Sequence, residues 1–299
     1  MSLPGHSKFK YFALLVWLGI ILTPPELASA QAADPPPAEL VRKAVQNEIK
    51  GDSDSDSSYM FQSRKETPRG SQTKMMVETR DAMAGMLIAI NDQPLTAAQS
   101  QAEQDRLNYM AGHADELRRK QKQEKDDAER ITRILRAMPD AFLYEKNGTE
   151  PGKPGVGNPG HELVRLKFRP NPKYDPPTRV EQVLTGMEGQ ILIDASRNRI
   201  AKIDGTLFRD VGFGWGILGH LDRGGRFQVD QGTIDGGNGW AMTRISLDFT
   251  GKVLLFKSIA IKSTETFSNF RPVAPNLTFA QGASLLAKEA TSKRDGAAQ

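Results

Sequence analysis

From Gly189 to Val273 the chain is almost wholly strand and turn, and this run limits the fold more than any other feature. QILIDASRNRIAKIDGTLF reads as a hairpin about Ser196-Arg197-Asn198. FQVDQG, WAMTRISLDF and VLLFKSIAIKSTETF come after it, joined by Gly-rich or Thr-Gly turns. Strands joined by turns this short pair antiparallel. Upstream, ELVRLKFR alternates, with Val164, Leu166 and Phe168 on one face and Arg165, Lys167 and Arg169 on the other. Period two is the mark of a half-buried strand.

Three more strands are expected at 59–67, 75–81 and 85–92, after a short amphipathic helix over 38–50 with Leu40, Val41, Ala44, Val45 and Ile49 on one side. Residues 95–138 form a helical insertion. Thr96 with Gln99 makes a capping box at its start, Gly112 is a break or kink, and Pro139 ends it. Between 113 and 130 it carries six acidic and six basic side chains and almost nothing apolar. A helix of that kind is wet or supported by i,i+4 ion pairs, so the insertion reads as a charged arm packed only at its ends. A Gly/Pro-rich loop spans 147–160, and a second short helix covers TRVEQVLTGM. The chain divides into a signal peptide (1–30), a linker (31–37), one domain (38–285) and a disordered tail (286–299).

The first 30 residues read as a Sec-type signal. Lys8 and Lys10 precede the apolar run YFALLVWLGIIL, and Ala28-Ser29-Ala30 places cleavage between Ala30 and Gln31. The expected mature chain is periplasmic or secreted, peripheral to a membrane at most. It has no cysteine, which removes disulfides, a cysteine nucleophile and the acceptor for a lipid anchor. The formal net charge of +4 is too mild to argue for nucleic acid.

Residues 212–219, GFGWGILG, contain G-x-G-x-x-G in Gly214, Gly216 and Gly219. A dinucleotide site needs a strand before the glycines and a helix opening within them. Here Gly224-Gly225 breaks any helix and FQVDQG is another strand. The glycines therefore mark a connection between antiparallel strands, with Trp215 an anchor on the sheet. Asp52, Asp54 and Asp56 imitate a calcium loop, but Ser57 and Ser63 stand where glycine and glutamate are needed. The histidines lie in no metal-ligand spacing. The Asp194 and Asp204 carboxylates belong to strand ends and turns. No catalytic constellation, metal or cofactor is expected. A hydrolase would require His220, Asp222 and a hydroxyl to meet in a cleft.

Two surfaces remain. Leu166, Phe168, Ile191, Ile193, Trp240, Met242, Leu254 and Phe256 are the candidate apolar ligand surface, with Ile259 and Ile261 in the same apolar excess. On a curved sheet such side chains line a cavity; on a flat one they are core. Arg165, Lys167, Arg169, Arg199 and Lys202 are the candidate patch for anionic head groups, or the solvated face of a sheet.

The order of elements, with YMFQSRKE, GMLIAINDQPL, ILIDASRNRIAKIDGTLF and FSNFRPV at its strands, resembles the LolA/LolB/RseB-type group over roughly 38–90 and 160–275. The resemblance implies an open, strongly curved antiparallel half-barrel with helices on its concave side, binding acyl chains without covalent chemistry. The expected fold is therefore α+β, a curved antiparallel sheet with helices covering its concavity and an inserted charged helical arm. The expected function is non-enzymatic binding of a lipid, acyl chain or lipidated partner. The alternative is an envelope assembly module whose arm binds a protein.

Overall fold

The computed structural model describes residues 35–53, 57–213, 219–237, 239–253 and 257–297. The expected signal peptide with Ala30 and Gln31, Asp54 and Asp56, the segment Gly214, Trp215 and Gly216, and Leu254 and Phe256 lie outside the described residues.

Helix α1 (Pro37–Ser53) precedes β1 (Ser58–Thr67), β2 (Gly70–Val77), β3 (Ala84–Ile90) and the two-residue β4 (Gln93–Pro94). Helices α2 (Ala97–Gly112) and α3 (Ala114–Ala141) lead into β5 (Phe142–Pro151) and β6 (Glu162–Pro170). The single turn α4 (Arg179–Gln182) and a 3-10 turn at Val183–Gly186 come next. After them run β7 (Met187–Asp194), β8 (Arg199–Leu207), β9 (Val211–Phe213), β10 (Gly219–Leu221), β11 (Arg226–Ile234), β12 (Gly239–Val253) and β13 (Lys257–Val273). Helix α5 (Phe279–Ala297) closes the described chain.

The strands form one antiparallel sheet in the order β4-β3-β2-β1-β13-β12-β11-β8-β7-β6-β5, and β10 with β9 extends it beside the far end of β12. The fold is α+β, as expected, and the sheet is open. Register shifts in the β1–β13, β2–β3, β5–β6, β7–β8 and β11–β12 pairings bend it. The hairpin about Ser196-Arg197-Asn198 forms as expected, with Asn198 at φ 49. Gly219 belongs to β10 and pairs with Phe213 of β9, so GFGWGILG joins two antiparallel strands.

Directly opposed residues share a face of a sheet, and one row crosses eight strands. It runs Leu166, Ile191, Ile203, Val229, Ile245, Glu265, Lys65 and Gln72. This face is called the front. At the row's start Leu40, Val41, Ala44 and Val45 of α1 pack on it, over Leu166, Phe168, Ile191, Ile193, Ile200 and Leu207, with Met138 and Ala141 from the end of α3. At the other end the helical cover changes side. Met60, Met75, Val77 and Met86 point to the back, where Phe279, Ala283 and Leu286 of α5 and Leu107 of α2 bury them. The helices thus divide between two faces, and each covers the face on which its end of the sheet is apolar.

The insertion has a structural task. Thr96 and Gln99 form the capping box, and the helix breaks at His113 between α2 and α3. Over its charged stretch α3 carries i,i+3 and i,i+4 pairs such as Arg119–Glu116 and Lys122–Asp126. Its neighbour α2 lies along the open edge of β3. Glu103 accepts from the Leu87 amide at 3.1 Å, Arg106 donates to the Gly85 carbonyl at 2.7 Å, and Glu124 of α3 accepts from the Met83 amide at 3.0 Å. Covering an edge in this way blocks sheet-to-sheet association.

Three boundaries differ from expectation. Pro139 does not end the helix, which runs on to Ala141; a proline in the last turns forfeits only one hydrogen bond, and its ring is buried against the core. The 147–160 loop begins later, because β5 extends to Pro151. The tail expected to be disordered from 286 is helix to Ala297, because Leu286 is fully buried under it.

At its C-terminal end α1 is held by charge. Glu48 accepts from Arg199 at 3.0 and 2.9 Å and from the Ile200 amide at 2.9 Å, where β8 separates from β11. Burial pushes the Glu48 carboxyl above its ordinary range, and Arg199 with the Ile200 amide pulls it back only in part. A raised carboxyl favours proton uptake by the native state. Its stabilising contribution is complete below the unfolded value of about 4.3 and is lost as pH rises through the folded value. The stability of the wild type minus that of Glu48→Gln should therefore fall as pH is raised from about 4. Urea midpoints across that range check this, and a difference that grew with pH would contradict it. Leu286→Ala should cost about 2–5 kcal/mol, read as a lower denaturation midpoint; a cost below about 1 kcal/mol would mean α5 is not part of the core.

Candidate functional site

Between the two helix-covered ends, β11, β12 and β13 expose their front face. Val229, Ile245, Leu247, Ile259, Ile261 and Phe267 are part-exposed there, Ile261 at 45%. The registers place them on one surface, since Val229 opposes Ile245, Phe249 opposes Ile261 and Ser63 opposes Phe267. Two features keep this surface broad and apolar. Phe227 lies over Gly205, whose missing Cβ leaves room for the ring. Phe61 stacks on Phe270 with centroids 5.2 Å apart and meets Phe267 edge-on at 6.1 Å. Toward β1 the surface turns polar, where Ser63 donates to Glu265 at 2.5 Å.

Beyond that polar strip lies a cleft of about 310 Å3 between β2, β3 and the insertion. Met76, Leu87, Leu107, Met110 and Phe279 line it together with Lys74, Glu103, Arg106 and Lys120. Partial burial works to raise the Glu103 carboxyl, but hydrogen bonds from Arg106 and the Leu87 amide, with the charges of Arg106 and Lys74, hold it below its ordinary range. Lys120 pairs with Glu124 at 2.6 Å. A second, shallower cleft of about 400 Å3 lies on the back face, along β5, β6 and β7, and includes Leu143, Glu145, Lys167, Arg169, Glu188 and Gln190.

The sequence-derived apolar set does not form one surface. Leu166, Phe168, Ile191 and Ile193 are sealed beneath α1. Trp240 packs apart from them, with Val156, Leu163, Leu192 and Ala201, and Met242, which opposes Gln231, is 36% exposed. The strand WAMTRISLDF shifts its apolar positions from even (240, 242) to odd (245, 247, 249), and the register shift in its pairing with β11 absorbs the change, since Asp230 opposes Arg244 but Gln231 opposes Met242. The basic set is likewise divided. Arg199 is held by Glu48 and lies over the Trp240 ring, Arg165 pairs with Glu150, and Lys202 lies 3.7 Å from Asp204. Lys167 and Arg169 remain exposed in the back-face cleft. Sequence reasoning missed Lys74, which has no distinguishing neighbours along the chain.

Two histidines approach hydroxyls and carboxylates without forming a relay. His220 Nε2 is 3.1 Å from Asp222 Oδ1, but the Thr250 hydroxyl donates to Asp222 Oδ2 and not to the imidazole. His161 Nδ1 lies 3.1 Å from Ser196 Oγ and 3.7 Å from Asp194 Oδ2, while Ser196 Oγ is 2.6 Å from Asp194 Oδ1. Nucleophilic activation needs the hydroxyl on one imidazole nitrogen and the carboxylate on the other; here both face Nδ1, and Asn158 holds Nε2. Among the described residues no helix is long and apolar enough to cross a membrane.

No family model and no curated protein matches the chain. A solved structure that does match is a domain from Vibrio parahaemolyticus described as a putative outer membrane lipoprotein-sorting protein domain. The two are 8% identical, the match covers 83% of this chain and 99% of that one, and the TM-score is 0.29.

Proposed function

We propose that this is a non-enzymatic exported envelope protein that binds the acyl chain of a lipid or lipidated partner along the exposed front face of β11, β12 and β13. The observation that carries this reading is the interruption of helical cover. Helix α1 roofs the front at the β6–β8 end and α5 roofs the back at the β1–β3 end, yet the middle strands keep six apolar side chains part-exposed on one surface. An acyl chain laid on that surface would gain about 0.8 kcal/mol for each CH₂ removed from water. The site differs from the sequence-derived set: Ile245, Leu247 and Phe267 take the place of the sealed Leu166, Phe168, Ile191 and Ile193. The neutral probe N-phenylnaphthylamine should brighten with the wild type and lose most of that gain with Ile245→Asp or Ile261→Asp, at an unchanged circular dichroism spectrum. A wild type that leaves the probe dark would sink the reading.

The alternative, an assembly module that recruits a protein through the insertion, draws on Tyr109 and Ile131, exposed at 56% and 58%. Since α2 also covers the β3 edge, point substitutions test it better than deletion. Tyr109→Ser with Ile131→Ser should remove a partner from a pull-down without lowering the denaturation midpoint; an identical partner list counts against it.

A further inference from the structure

The charges of the β2–β3 cleft do not balance. Arg106 is neutralised by Glu103 at 2.8 Å and is also tied to the Gly85 carbonyl. Lys120 is neutralised by Glu124, which is itself held by the Met83 amide. Lys74 makes no ion pair or hydrogen bond among the described residues, although its charge reaches Glu103. Three cations therefore face two carboxylates, and the excess is a single positive charge on an exposed ammonium beside an apolar wall of Met76, Leu87 and Met110.

Register connects this ammonium to the exposed front face. Lys74 opposes Ser63, and Ser63 opposes Phe267, so Lys74 stands on the front face, at the end of a row leading to the apolar surface. From β2 to β12 is three strand spacings, roughly 14 Å at about 4.8 Å each.

We infer that the cleft seats the carboxylate of a single-chain fatty acid on Lys74, with the chain running across β1 and β13 onto the front face. This rests on the acyl-binding reading above and adds the chemistry of the head group. The single uncompensated charge matches a monoanion; a phosphate dianion would leave a negative excess beside Glu103 and Glu124. The volume of about 310 Å3 stands at the lower end of small-molecule sites, which suits one chain end and not a multi-chain lipid. Glu103, Arg106 and Glu124 shape the cleft by holding α2 and α3 to the β3 edge, so they position the site without binding its ligand.

The test compares 11-(dansylamino)undecanoic acid with its methyl ester at neutral pH, using the full chain. The wild type should bind the acid on the order of tenfold more tightly than the ester, the size of a charge-assisted contact. Lys74→Gln should erase that preference while leaving ester affinity and the denaturation midpoint unchanged, and Lys74→Arg should restore most of it. Equal affinity for acid and ester in the wild type, or a preference that survives Lys74→Gln, overturns the head-group site and leaves the acyl-binding surface standing. Failure to bind either probe overturns both.

Discussion

The pairing of β1 with β13 is the contact on which the architecture depends. Without it the N-terminal strands β1 to β4 and the meander from β5 to β13 would be separate sheets, each with a bare edge. The junction runs over eight residue pairs from Ser58↔Val273 to Glu66↔Thr264, and the Ser63–Glu265 hydrogen bond within it joins positions 202 apart in the chain. Because opposed residues must share a face, this one register decides that Lys65 and Gln72 continue the row begun by Leu166 and Ile191. It thereby decides that Met75, Val77 and Met86 of β2 and β3 point to the back while Leu166, Ile191 and Ile203 of β6 to β8 point to the front.

The placement of the helices is a consequence. A sheet that is apolar on different faces at its two ends cannot be covered by one layer, and α1 and α5 take opposite sides. The middle strands belong fully to neither end, and their front face keeps its side chains half in water. Such a surface is tolerable in a monomer only when it is modest in extent or has an occupant. The insertion, whose composition suggests an arm, acts first as a cap on the β3 edge. Its carboxylates and guanidinium supply to β3 the hydrogen bonds that a further strand would have made.

Local features were legible in the sequence because they depend on neighbours in the chain. The alternation of 163–169, the hairpin about Asn198, the capping box of Thr96 with Gln99 and the break after Gly112 all have that character. So does the reading of GFGWGILG as a strand connection, which needed only the residues just after the glycines. The features that were not legible depend on partners far away. Nothing near Ile191 says that α1 will seal it, and nothing near Ile245 says that no helix will. Arg199 looks like a free surface charge until Glu48, 151 positions earlier, is brought beside it. The shift of apolar parity along β12 was a local sign of the bulge in its pairing with β11.

Helix α5 comes after β3 by nearly the whole meander, yet it supplies Phe279, Ala283 and Leu286 to the core that β1, β2 and β3 begin. During synthesis Met60, Met75, Val77 and Met86 must wait without their cover until the last helix emerges. Both the strand that neighbours β1 and the helix that roofs it arrive late, so the N-terminal strands are the segment most exposed to wrong association before folding completes. High contact order of this kind slows folding.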